Sequence, residues 1–120
     1  MKIPTHKVLF GVPRFTAELS WTDLAPELPG WEISVCPRGE MAAHVDGVDV
    51  VCPWGAPLDA VTLKAGTFGL VQQFGVGLEK VDVQAATQQG VWVARIPGDA
   101  GGNADSVAEL AVLQLSLIHI

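Results

Sequence analysis

The chain of 120 residues has little charge, little base and few thiols. Charged residues make up 17 %, and 7 Lys and Arg face 13 Asp and Glu, for a net charge of −6. That surplus of acid argues against nucleic acid or an acidic membrane as the main partner. A small anion remains a possible ligand, because local N–H groups outweigh distant, screened charges. Only Cys36 and Cys52 occur, each near the end of an apolar run, with no C-x-x-C and no histidine at metal-ligand spacing. Disulfide and metal roles are therefore disfavoured, and both read as buried apolar thiols in a reducing compartment. No segment approaches the roughly 20 apolar residues of a membrane span. Behind Lys2, His6 and Lys7, the run Val8–Val12 is too short for a secretory signal. A cytoplasmic protein is expected. There is no G-x-G-x-x-G phosphate loop, since Gly75-Val76-Gly77-Leu78-Glu79-Lys80 lacks the third glycine. Internal repeats and low-complexity stretches are also absent.

Apolar side chains are what the chain has in quantity. At 49 % hydrophobic it is globular, with the length of one domain and a modest core. After a frayed Met1–His6, apolar runs recur at Lys7–Val12, Trp31–Cys36, Val48–Cys52, Leu70–Phe74 and Val91–Ile96. Helical patterns lie between them. Phe15, Leu19 and Leu24 mark a short helix with Thr16 as cap, and Arg38–Val45 reads as a weak helix or loop with a solvated His44. Leu58–Ala65 reads as a helix with Leu58, Val61, Leu63 and Ala65 partly inward and Asp59 near its positive end. Val81, Ala85 and Ala86 mark the next helix, stopped by Gly90, and Asn103–Leu115 the last. Strands alternating with helices call for an α/β domain: a parallel sheet with helices on both faces and right-handed crossovers.

The stretch Gly69–Glu109 organises this pattern. Its first strand ends in Gly75-Val76-Gly77 and its second in Pro97-Gly98. Loops at the carboxyl ends of parallel strands are where open α/β sheets bind ligands. Gly75 and Gly77 would let the backbone turn sharply and bring bare N–H groups to a small anion such as a carboxylate. The same glycines also fit a plain tight turn. Gly11-Val12-Pro13 and Cys52-Pro53-Trp54-Gly55 end two further strands on the same edge, so four loops can form one side of a cleft.

An ordered set of short motifs runs through this region. It comprises Gly75-Val76-Gly77-Leu78-Glu79-Lys80-Val81-Asp82, Ala85-Ala86, Gly90-Val91-Trp92-Val93, Pro97-Gly98 and Asn103-Ala104-Asp105-Ser106-Val107-Ala108-Glu109. It resembles the N-terminal, substrate-binding domain of the D-isomer-specific 2-hydroxyacid dehydrogenases, which include phosphoglycerate dehydrogenase. The match is strong from about Val48 to Glu109, with a slightly longer gap between Pro97-Gly98 and Asn103. The resemblance implies a flavodoxin-like three-layer domain whose five-stranded parallel sheet has the order 2-1-3-4-5. It implies that Val76 and Gly77 offer N–H groups to a substrate carboxylate, that Trp54 lines the pocket and that Asn103 lies near substrate or hinge. It places Val76 and Ser106 beside a nicotinamide cofactor, NAD or NADP, that is held mainly by a downstream domain. The whole protein would bind a small 2-hydroxy or 2-keto acid as a homodimer. Read without the resemblance, Trp54 serves as a packing aromatic, Asn103 as an N-cap and Ser106 as a neutral helix residue.

The arginine, glutamate and histidine that carry out the family's chemistry lie in that downstream domain, so no residue here is expected to be catalytic. Arg14, Arg38 and Arg95 read as structural or solvated. The resemblance divides the chain into a substrate-binding domain over residues 1–102, the start of an interdomain helix over 103–115 and a tail over 116–120. Ser116–Ile120 departs from the family, and the ending Leu115–Ile120 looks like a translated sequencing adapter, so a non-native tail is expected. A non-catalytic flavodoxin-like ligand-binding module and a sensor or corepressor remain open as other readings. A receiver domain would want acids after the first strand, and a flavodoxin a Ser/Thr-rich loop; Gly11-Val12-Pro13-Arg14 offers neither.

Overall fold

The computed structural model of the chain describes residues 5–12, 28–100 and 102–118. Five parallel strands form one sheet in the order β2-β1-β3-β4-β5, as expected. Strand β1 (His6–Val12) lies between β2 (Trp31–Pro37) and β3 (Val50–Cys52). Beyond β3 come β4 (Leu70–Gln72) and β5 (Trp92–Ala94). The last three strands are shorter than their apolar runs. On the far side of β4 the chain leaves the ladder at once, and Phe74 is 49 % exposed.

Side chains alternate across the sheet. Leu9, Val51 and Val71 enter one layer, with Met41, Val45, Leu58, Leu63, Ala85 and Ala86. Val8, Phe10, Val12 and Cys52 enter the other, against Trp31, Val35 and Trp54. Strands buried on both faces read as unbroken apolar runs, which is why the sequence shows runs rather than alternation.

Three short helices cover the Leu9 face: α1 (Met41–His44, after a 3-10 turn at Arg38–Glu40), α2 (Ala60–Ala65) and α3 (Val83–Gln88). Asp59 caps α2 by accepting the Thr62 N–H at 2.8 Å, and Asp82 caps α3 by accepting that of Ala85 at 2.9 Å. Helix α3 ends as its sequence foretells. Gly90 takes φ +71, its N–H bonds the Thr87 carbonyl, and the Val91 N–H bonds that of Ala86. This is the paired arrangement of a glycine-terminated helix.

One expectation needs correction. Val61 is 70 % exposed and Ala65 is also outside, because α2 starts only at Ala60 and turns Thr62 and Leu63 inward. The helix expected at residues 15–24 lies outside the described residues, as does Arg14.

Helix α4 (Ala104–Ile118) opens where the Val107 N–H bonds the Asn103 carbonyl. It runs past Leu115, with the Ser116 hydroxyl bonded to the Val112 carbonyl at 2.8 Å. All its described side chains are exposed. No helix among the described residues is long and apolar enough to cross a membrane.

Candidate functional site

The carboxyl ends of β3, β4 and β5 are joined by side-chain and backbone contacts; the end of β1 is closed. A Cβ on Gly11 would lie 2.6 Å from the Met41 sulfur and 3.2 Å from the Pro53 carbonyl, so packing already fills that space. After β3 the chain turns through two left-handed residues, Trp54 (φ 40) and Gly55 (φ 78). Left-handed backbone costs a non-glycine residue about 1–2 kcal/mol, so its surroundings must hold it. The Trp54 ring meets the edge of Phe74 at 5.6 Å between centroids. The Arg38 guanidinium carbon lies 5.9 Å from the Trp54 centroid. Its Nε is buried without a hydrogen-bond partner.

After β4, the backbone shows a one-sided pattern of satisfaction. Every carbonyl from Gly75 to Leu78 is engaged. Gly75 accepts from the Ile96 N–H (3.0 Å), and Val76 from Arg95 Nη1 (3.2 Å). Gly77 accepts from Gln73 Nε2 (2.9 Å), and Leu78 from the Val81 N–H (3.0 Å). The N–H groups of the same four residues donate to no acceptor among the described residues. Four successive donors with their own carbonyls turned to other partners suit an anion. Val76 and Gly77 are exposed, so a ligand can reach them.

The glycines work differently from the sequence expectation. Neither Gly75 nor Gly77 has a positive φ; the left-handed turn on this edge is at Trp54 and Gly55. A Cβ on Gly75 meets nothing within 4 Å, whereas one on Gly77 would run into the Glu79 carboxylate. Space beside the backbone, not turn geometry, is what Gly77 supplies.

Charge around the loop is mixed. Arg95 brings a cation to the Val76 carbonyl, so it is more than a solvated side chain. Glu79 brings a carboxylate to Gly77. The loop from Pro97 folds toward the same place, since a Cβ on Gly98 would lie 3.8 Å from Val76. Beyond it, a cleft of about 250 Å³ is lined by Gly98, Asp99, Gly102, Ala104 and Asp105, and its two acids do not favour an anion.

The structure thus joins Trp54 to the Val76–Gly77 loop through Phe74 and Gln73. Asn103 and Ser106 stand at the start of α4, exposed, with no hydrogen bond to that group. Gln73 and Arg95 were missed as site residues. A signal for Gln73 was present: a polar side chain in the buried phase of a strand whose neighbour in phase is Val71. No such signal marks Arg95, whose partner is 19 residues away.

A dinucleotide diphosphate finds no cradle among these residues. The N-termini of α2 and α3 are occupied by the Asp59 and Asp82 carboxylates, and both helices are only six residues long. Among the described residues, no three His, Cys, Asp or Glu side chains are grouped to hold a metal. Cys36 and Cys52 are free and buried. Burial pushes both thiols up to about 11, with Glu40 adding to the effect at Cys36.

Comparison with known proteins bears on this edge. The sequence profile described as "D-isomer specific 2-hydroxyacid dehydrogenase, catalytic domain" matches residues 25–115. No curated protein sequence matches the chain. Among solved structures, it is similar to the D-lactate dehydrogenase of Aquifex aeolicus, complexed with NAD and lactic acid (TM-score 0.63, 15 % identity, covering 92 % of this chain and 33 % of that one). It is also similar to apo D-lactate dehydrogenase from Escherichia coli (0.61, 16 %, 77 % and 31 %). A third is the apo D-mandelate dehydrogenase of Rhodotorula graminis (0.57, 20 %, 95 % and 36 %). At these identities the likeness is one of fold. The chain spans about a third of the length of these solved relatives.

Proposed function

Since the chain belongs to the D-isomer-specific 2-hydroxyacid dehydrogenase family, matched through its catalytic domain, we propose that it is the substrate-binding part of an oxidoreductase interconverting 2-hydroxy and 2-keto acids. The observation that carries this reading is the run of four unpaired N–H groups from Gly75 to Leu78. These donors hold the substrate carboxylate, with Trp54 as a wall of the pocket. Fixing the carboxylate orients the neighbouring C2, so that its carbonyl or hydroxyl faces one direction. Trp54 and Phe74 restrict water on one side.

NAD or NADP would supply or accept the hydride when bound, held mainly by a downstream domain. Val76 and Ser106 are the residues assigned to its margin, and Asn103 to the hinge beside the substrate. No side chain here is assigned acid–base work. The 120-residue chain alone is accordingly inactive, and the whole protein works as a homodimer.

The test is a titration of the 15N-labelled chain with pyruvate and with pyruvamide, which lacks the carboxylate. Pyruvate is expected to move the amide signals of Gly75, Val76, Gly77 and Leu78 most, and pyruvamide to leave them in place. Equal shifts with both, or shifts centred elsewhere, overturn the assignment.

A further inference from the structure

The side chain of Gln73 is only 6 % exposed, and both ends of its amide are used. Its Oε1 accepts the Phe74 N–H at 3.1 Å and the Gly55 N–H at a long 3.5 Å. Its Nε2 donates to the Gly77 carbonyl at 2.9 Å. One planar group therefore touches the left-handed turn after β3, the start of the loop after β4 and the residue at which that loop carries its donors. The backbone of Gln73 adds a fourth tie, its N–H bonded to the Ala94 carbonyl of β5 at 2.8 Å. A buried amide with one donor and two acceptor bonds is costly to replace, because any group of the wrong polarity strands a partner.

We propose that Gln73 is a positioning residue: its side-chain amide clasps the Trp54–Gly55 turn to the Gly75–Gly77 loop and so sets the spacing of the substrate-binding groups. It acts through the backbone it holds and touches no substrate. By drawing the Gly77 carbonyl inward, it fixes the Gly77–Leu78 peptide plane and so turns the Leu78 N–H, which lies opposite that carbonyl, toward the anion. That last step rests on the function proposed above; the clasp itself does not.

Polarity makes the clasp testable. In Gln73→Glu the ionised carboxylate still accepts from Phe74 and Gly55 but repels the Gly77 carbonyl. Once protonated, it donates to that carbonyl again. The readouts, taken on the ligand-free 120-residue chain, are the 13C shift of the Gly77 carbonyl and the hydrogen-exchange protection of the Ile96 N–H, whose acceptor is Gly75. At neutral pH, Gln73→Glu is expected to move the Gly77 signal and lower Ile96 protection by roughly tenfold, the scale of one hydrogen bond. Below the titration of the introduced carboxyl, both return to the wild-type values. Gln73→Met, of similar volume but without the donor, shows the loosened loop at every pH; the strand amides of β1 report that each variant is folded. Wild-type values at neutral pH in either variant, or loss in Gln73→Glu without recovery in acid, overturn the clasp. A pyruvate titration separates the two claims. If wild type shows no pyruvate shifts but the clasp signature is present, the substrate reading fails and the clasp stands. If pyruvate binds but the signature is missing, the reverse holds.

Discussion

Gly11 provides a sharp test of how the binding edge is built. In sequence it looks like one of four open strand ends. In the structure it is buried in β1, an interior strand, and a Cβ there would meet the Met41 sulfur at 2.6 Å. Ordinary heavy-atom contacts lie at about 3.5–4.0 Å, so Gly11→Ala brings a shortfall of about 1 Å. Met41 has no ready escape: it is 2 % exposed, in the core with Leu9, Val45 and Leu63. Strand β1 cannot yield either, being paired to β2 and β3. Overpacking of this kind costs about 1–3 kcal/mol. The lower chain entropy of alanine in the unfolded state offsets about 0.4–1 kcal/mol of that. A net loss of about 1–2 kcal/mol is expected. Met41→Ala alone should cost about 2–5 kcal/mol as a buried truncation.

The double variant separates this account from its rivals. With Met41 shortened, the new methyl meets no sulfur and fills part of the vacated space. Gly11→Ala should then be neutral or stabilising by about 0.5–1 kcal/mol, the unfolded-state gain alone. The predicted coupling is about 2 kcal/mol, well inside the range seen for touching residues. Urea unfolding of the four proteins at pH 7 measures it, with equal m-values as the check that all unfold alike. Additivity within about 0.5 kcal/mol would refute the packing argument and restore Gly11 as an open edge.

Two further outcomes are expected. Because the folded pKa of Cys36 and Cys52 is raised to about 11, their contribution to stability is complete below the unfolded thiol pKa and is lost as pH rises from there through 11. Urea midpoints of wild type and Cys36→Ala/Cys52→Ala should therefore diverge least above pH 10, and a parallel fall of both with pH would refute the assignment. Separately, Val107, Leu110, Val112, Leu113, Leu115 and Leu117 are each more than half exposed on α4, so the isolated chain should self-associate. A clean monomer at high concentration in sedimentation would contradict this.

How much of the fold was legible follows from where its signals were local. Strands buried on both faces announce themselves as apolar runs, and five of them with helical spacers fix a parallel sheet. Two helix ends were equally plain, Asp59 at the start of α2 and Gly90 at the end of α3, each acting within four residues of its own position; the Asp82 cap was not singled out. Inward faces of six-residue helices were not legible. Such a helix shows less than two turns of pattern, and one residue of error in its start sends Val61 outward and Thr62 inward.

The candidate site divides along the same line, but its decisive feature lies deeper. Sequence pointed to Gly75-Val76-Gly77 as an anion loop for a reason the structure replaces. Neither glycine uses left-handed backbone; the carbonyls are turned to other partners. Those partners come from Ile96 and Arg95 across the sheet edge, from Gln73 just after β4 and from Val81 at the entry to α3. Local pattern can mark a loop at a strand's carboxyl end, but which of its polar groups remain free depends on which distant groups reach it. Arg95 is a case in point. Read along the chain it is one charge late in a strand, with no acidic partner. Read in the fold it occupies the Val76 carbonyl and adds a cation beside unpaired N–H groups, on a chain whose net charge is −6. An anion site on an acidic domain can rest on such local groups, since acids more than about 8–10 Å away are largely screened while donors within hydrogen-bond reach are not. In the reading proposed above, binding at this edge turns on four amides, one clasp and one guanidinium, and not on the composition that first made an anionic ligand look out of place.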